Sequence, residues 1–105
     1  MIYKETILSK NNLPVPVFYN GKPMHSKYNP QNEILITPQE SKEGFFLIMG
    51  IGAGYHIKNL LQNLSSYFIV AVEPDKESLD YCKNFPVVKE LLSNKNIVFC
   101  SKDDL

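Results

Sequence analysis

The sequence carries no net charge: eleven basic side chains stand against eleven acidic ones over 105 residues. No global field favours nucleic acid or an anionic membrane surface, so neither is expected as a partner. No apolar run approaches the ~18 residues of a membrane span. The opening stretch, MIYKETILSK, lacks the long apolar core of a signal peptide. Those two absences make the cytoplasm the expected location. Cysteine is scarce, and Cys82 and Cys100 stand without metal-ligand spacing. With no export signal they are expected to be reduced and structural. There is no internal repeat, no low-complexity segment, no metal-binding spacing, and no Ser/His/Asp or Cys/His set that would argue nucleophilic catalysis. What remains is 44% hydrophobic and 21% charged, the composition of one small globular domain.

Residues 45 to 56, FFLIMGIGAGYH, organise the rest. An apolar run from Phe45 to Met49 leads into alternating glycines, Gly50, Gly52 and Gly54, and then into Ile57, Leu60, Leu61 and Leu64 at helical spacing. Strand, glycine turn and amphipathic helix form the first half of a nucleotide-binding βαβ unit. A second apolar run, Phe68 to Val72, ends on Glu73, close to the ~20-residue offset at which such folds place a carboxylate for a ribose hydroxyl.

The expected core, residues 44–105, is therefore α/β and Rossmann-like. It has strands at 45–49, 68–72 and 97–100 in a parallel half-sheet of order 3-2-1, and helices at about 54–65, 76–84 and 86–93 on one face. Pro86 suits a first helical turn, with Val87, Val88, Leu91 and Leu92 as the buried face. Residues 1–43 read as an N-terminal appendage. Residues 1–12 are extended or helical. A β-hairpin is expected around Asn20-Gly21, whose two residues supply the positive φ angles of a tight turn, with Val15, Val17 and Tyr19 alternating before it. Pro14 and Pro16 make that strand an edge. Asn29-Pro30 with Glu33 reads as a helix start, followed by the apolar Ile34, Leu35 and Ile36 and a polar loop, PQESKEG. A doubly wound sheet continues past three strands, so the chain is expected to be the N-terminal piece of a longer protein.

A dinucleotide fold wants G-x-G-x-x-G, and here Tyr55 stands where the third glycine belongs. The spacing G-x-G-x-G, with an acid after the second strand, is nearer the pattern of S-adenosylmethionine-dependent methyltransferases, although Ile48 replaces the acidic residue usual two positions before the first glycine. Gly50, Gly52, Gly54, Glu73 and Asp103 are the candidate binding residues for a nucleotide or S-adenosylmethionine. His56, in the first turn of the helix, is a phosphate contact, a proton carrier or a polar residue near the cap. The competing explanation for the turn is steric: three glycines where the backbone needs them and no ligand at all. Asp75 is expected to cap the following helix. HSKYNP, residues 25–30, is either an anion or sugar site or a bare turn.

The sequence PVPVFYNGKPMHSKYNP, then FLIMGIGAGYHI, IVAVEPD and VVKELLSNKNIVF, resembles the N-terminal region of the motility accessory factor family across roughly residues 13 to 105. These are bacterial proteins linked to flagellin glycosylation, with a central domain similar to hydroxymethylpterin diphosphokinases and sialyltransferase-like folds. The HSKYNP block followed by Gly50, Gly52, Gly54, Tyr55 and His56 carries the likeness. It implies the N-terminal, non-catalytic domain of a glycosyltransferase that moves nonulosonic acid sugars from CMP-activated donors to flagellin. The downstream catalytic domain and, through it, flagellin are the implied partners. No catalytic residue is implied within this chain. Two other readings stand beside it: a methyltransferase-like nucleotide-binding domain, and an interaction module forming a homodimer through the open sheet edge.

Overall fold

The computed structural model describes residues 1–34 and 42–105. Leu35 and Ile36, and most of the expected polar loop, lie outside the described residues. Among the described residues, five strands and three helices make an α/β arrangement. Strand β1 (Tyr3–Leu8) pairs antiparallel with β2 (Pro14–Phe18). Strands β3 (Glu43–Met49), β4 (Ser66–Glu73) and β5 (Ile97–Ser101) form a parallel sheet with β4 in the middle. Helices α1 (Tyr55–Leu61), α2 (Lys76–Cys82) and α3 (Pro86–Leu91) fill the connections. Among the described residues no helix is long and apolar enough to cross a membrane.

The parallel sheet forms where apolar runs meet the core. Ile48, Ile69, Ala71 and Ile97 turn one face of the sheet to Ile57 and Leu60 of α1, Leu79 and Cys82 of α2, and Val88 and Leu91 of α3, all in one cluster. Tyr3 of β1 belongs to the same cluster, and Phe18 and Met24 pack against it, so residues 1–34 share the core of the parallel sheet. Alternate residues point the other way, where Phe45, Leu47, Met49, Phe68 and Val98 are exposed. Both thiols, Cys82 and Cys100, are buried and free.

Helix ends follow local chemistry. Asp75 caps α2 as expected, its carboxylate accepting the Ser78 amide at 2.7 Å. It also meets the N-terminal ammonium at 2.8 Å, and that contact, reinforced by the Ser78 amide, holds its carboxyl well below the usual range at about 2. Helix α1 closes at Leu61, short of the expected 65. The amides of Gln62, Asn63 and Leu64 bond to carbonyls three residues back, the tighter winding common at helix ends. Pro86 opens α3, with Val88 and Leu91 buried, but Leu92 is 45% exposed and does not join the expected buried face.

The N-terminal hairpin differs from its expectation. The ladder partner of β2 is β1, reached through a loop at residues 9–13 in which Asn12 has φ 65°. At Asn20-Gly21 the chain does turn, but Gly21 alone has positive φ. The returning arm makes a single bridge, Val17 to Pro23. Proline has no amide to extend the ladder, and the bridge is flanked by the Phe18 amide to the Lys22 carbonyl and the Met24 amide to the Pro16 carbonyl. Asn29-Pro30 starts only a 3-10 turn, Pro30–Asn32, and the Asn29 side chain caps nothing.

Candidate functional site

The glycine turn runs from the end of β3 to the start of α1. Gly50, Gly52 and Gly54 all have positive φ, at 101°, 53° and 84°. Residues 51 to 57 are all buried: Ile51, Ala53, Tyr55 and Ile57 belong to the core cluster, and His25 packs over the turn, bonded to the Ala53 amide and edge-on to the Tyr55 ring. A β-carbon on Gly52 would stand 2.5 Å from His25 Nε2 and 2.7 Å from Met24 Cγ. One on Gly54 would stand 3.0 Å from Val88 of α3. The glycines thus serve two close approaches, one to the N-terminal segment and one to a helix.

Every backbone amide of the turn is bonded within the chain. Gly50 donates to the Val72 carbonyl and Gly54 to the Ile51 carbonyl. Ile51 and Gly52 both donate to Glu73 Oε2. Ala53 donates to His25 Nε2 at 2.9 Å. Glu73, at the expected end of β4, is fully buried. The hydroxyl of Tyr3 donates to the same Oε2 at 3.0 Å, closing the carboxyl off from the N-terminal side. Its Oε1 is buried without a hydrogen-bond partner. Burial pushes the Tyr3 hydroxyl and the Cys82 thiol far up, and the nearby Glu73 carboxyl adds to both, so neither is a nucleophile at neutral pH.

His25 takes both of its roles from these neighbours. Its Nε2 accepts the Ala53 amide, so its Nδ1 carries the proton and donates to Glu33 Oε1 at 2.9 Å. His56 lies on the other side, its ring centre 5.4 Å from that of His25. Its Nε2 bonds the Gly50 carbonyl at 2.8 Å and therefore donates, which leaves Nδ1 as a buried acceptor without a partner. Donor atoms of His25, Glu33 and His56 lie within 4.8 Å of one another, a residue set that zinc sites use. The proton count decides against a ligand triad in this arrangement. The only lone pair of His25 is already given to Ala53, so of these three residues a metal would meet only Glu33 and His56.

Of the residues singled out in the sequence, Gly50, Gly52, Gly54, His56 and Glu73 come together in this one buried knot. Asp103 does not join them. It is exposed in a 3-10 turn, Lys102–Asp104, where its neighbour Asp104 takes the Ser101 amide and hydroxyl. In HSKYNP, Ser26 Oγ accepts the amides of Tyr28 and Asn29, and Lys10 Nζ lies 4.9 Å above the Tyr28 ring. Sequence reasoning missed Tyr3, Met24, His25 and Glu33 as parts of the turn's surroundings. The link from His25 to Ala53 spans 28 residues and that from Tyr3 to Glu73 spans 70, and no local spacing announces either.

The buried imidazole makes a pH prediction. Burial is the largest influence on His56 and lowers its pKa below the ordinary 6.5. The unfolded chain therefore takes up that proton first, and stability falls as pH drops through 6.5 toward the folded value. Glu33 acts in the same direction lower down. Burial raises its pKa, but His25 and the Ser26 amide outweigh that, so the stability it adds above 4.5 is lost on further acidification. Thermal melts from about pH 7.5 to about pH 5 should show a falling midpoint, and His56→Gln should lessen the slope. Equal slopes for the two proteins would remove His56 from the account.

Comparison with known proteins gives no match: no family model, no curated protein and no solved structure. The class rests on the chain itself, an α/β arrangement with a three-stranded parallel sheet whose glycine turn is closed by the segment that precedes it.

Proposed function

We propose that this chain is a non-catalytic accessory domain with a Rossmann-like half-sheet, and that its glycine turn is a structural joint. One observation carries the reading. All five amides from Gly50 to Gly54 are spent on acceptors of the chain, and Met24 and His25 fill the space over Gly52. A phosphate or a nucleotide held at such a turn needs free amides and close access to the backbone. A ribose needs the carboxylate at the strand end, and here that carboxylate is sealed behind Tyr3.

The likeness to the motility accessory factor family supplies the setting. On that reading the domain belongs at the N-terminus of a cytoplasmic glycosyltransferase that adds nonulosonic acids to flagellin. It supports the downstream catalytic domain and meets flagellin only through the whole protein.

A thermal-shift panel with S-adenosylmethionine, NAD, CMP and CMP-sialic acid tests the joint. The expected result is no movement of the midpoint with any of the four. A ligand at 100 times its dissociation constant would add about 2.7 kcal/mol, several degrees for a domain of this size. Such a shift with S-adenosylmethionine would replace this reading with the methyltransferase-like one. A shift with CMP or its sugar would make the turn a donor site.

A further inference from the structure

The face of the parallel sheet opposite the helices carries a run of exposed apolar side chains, Phe45, Leu47, Met49, Phe68 and Val98. Register places Phe45 beside Phe68, Leu47 beside Val70, and Val70 beside Val98. Their exposures reach 69% for Phe45, 58% for Leu47 and 67% for Met49. From Phe45 onward the face carries no charged side chain, and Glu43 and Ser66 stand at its N-terminal rim. Parallel sheets are normally covered on both faces. Among the described residues the helices cover the other face of this sheet, while on this one Val72 and Cys100 are buried toward its C-terminal end and the rest stays open.

We propose that this face is the interface between two copies of the chain, packed face to face about a two-fold axis. The observation is independent of the closed glycine turn. A two-fold contact requires a surface complementary to itself. An apolar patch with no charge meets that requirement, because no like charges face each other across the axis. If the strands of the two copies run in opposite senses, their Glu43 carboxylates lie at opposite ends of the contact. The five exposed side chains present roughly 500 Å² to solvent, taking about 150–250 Å² for each aromatic and somewhat less for the others. That is a large patch for a monomer. With backbone and rim included, two such faces reach the lower range of specific interfaces, about 1,000–1,200 Å² in total. The association is therefore weak and depends on concentration.

The test is sedimentation velocity and light scattering of the chain from about 10 µM to about 1 mM, the range in which a contact of this size responds. The expected result is a mass that rises from 12.0 kDa toward twice that value, with Leu47→Glu remaining monomeric and showing an unchanged circular dichroism spectrum. If Leu47→Glu does not fold, Val98→Lys on β5 reads the same surface from its far side. A wild-type mass fixed at 12.0 kDa across the range overturns the proposal and gives the face to a different partner. Dimers that persist in both variants overturn it as well, and move the contact to the edge of β3.

Discussion

Replacing Glu73 by alanine should come close to unfolding the domain. The carboxyl accepts two turn amides and the Tyr3 hydroxyl, all in buried surroundings. A buried donor stripped of its partner costs about 1–3 kcal/mol. Three together cost about 3–9 kcal/mol, against a total stability of about 5–15 kcal/mol for a small domain. At about 4–8 °C per kcal/mol, the midpoint should fall by tens of degrees. Glu73→Gln keeps one carbonyl oxygen for the amides and should lose about half as much. Glu77→Ala, at an exposed site in α2, should stay within about 0.5 kcal/mol of wild type. Urea and thermal unfolding of the three variants decide the matter, and a Glu73→Ala midpoint within a few degrees of wild type would refute it. This outcome also separates two roles for the carboxyl. A residue kept to bind a ligand should be dispensable for stability, whereas one that ties the turn to β1 should not.

Gly52→Ala should be the second large effect, and Gly21→Ala is its control. At both positions φ is positive, which costs an alanine about 1–2 kcal/mol. At Gly21 nothing lies within 4 Å of the added carbon, so that strain is the whole cost. At Gly52 the carbon would meet His25 Nε2 at 2.5 Å. That atom is held on one side by Ala53, while the same ring is anchored through Nδ1 by Glu33, so the ring has little room to move. Overpacking adds about 1–3 kcal/mol, for a total of about 2–5 kcal/mol. Gly50→Ala falls between, because its neighbour is the methyl end of Met24, 3.1 Å away on a flexible side chain. Equal melting points for Gly21→Ala and Gly52→Ala would show that Met24 and His25 do not close over the turn.

The parallel strands and the three helices were legible because their cues are local. They show as apolar runs of strand length, an aspartate before α2, and a proline at the start of α3. Strand β1 was not legible. Lys4, Glu5 and Thr6 are exposed, and a register shift between Tyr3 and Glu5 breaks the alternation that would have marked it. Leu92 departs from the expected buried face because an apolar residue after the last turn of a short helix fits the buried stripe by spacing and is left outside it by the fold. The open face of the sheet was hidden for a different reason. Phe45 to Met49 is apolar at every position, so the run says strand but not which face the helices cover. Glu73 was legible as a carboxyl at a strand end, and its partners were not. Tyr3 is 70 residues away, and a lone tyrosine near the start of a chain carries no sign of where its hydroxyl will go.

The contact between Tyr3 and Glu73 also sets a timetable for synthesis. A ribosome adds about 5–20 residues per second, so the carboxyl that receives the Tyr3 hydroxyl is made roughly 4–14 s after it. The hairpin of β1 and β2 can close in microseconds, but its aromatic side has no floor until β4 and α2 have emerged. During that interval Tyr3 and Phe18, stacked on each other in the finished fold at 5.3 Å, lack the rest of the core that later shelters them. The β1–β2 hairpin is thus seated only once β4 and α2, made well after it, supply Glu73 and Tyr81.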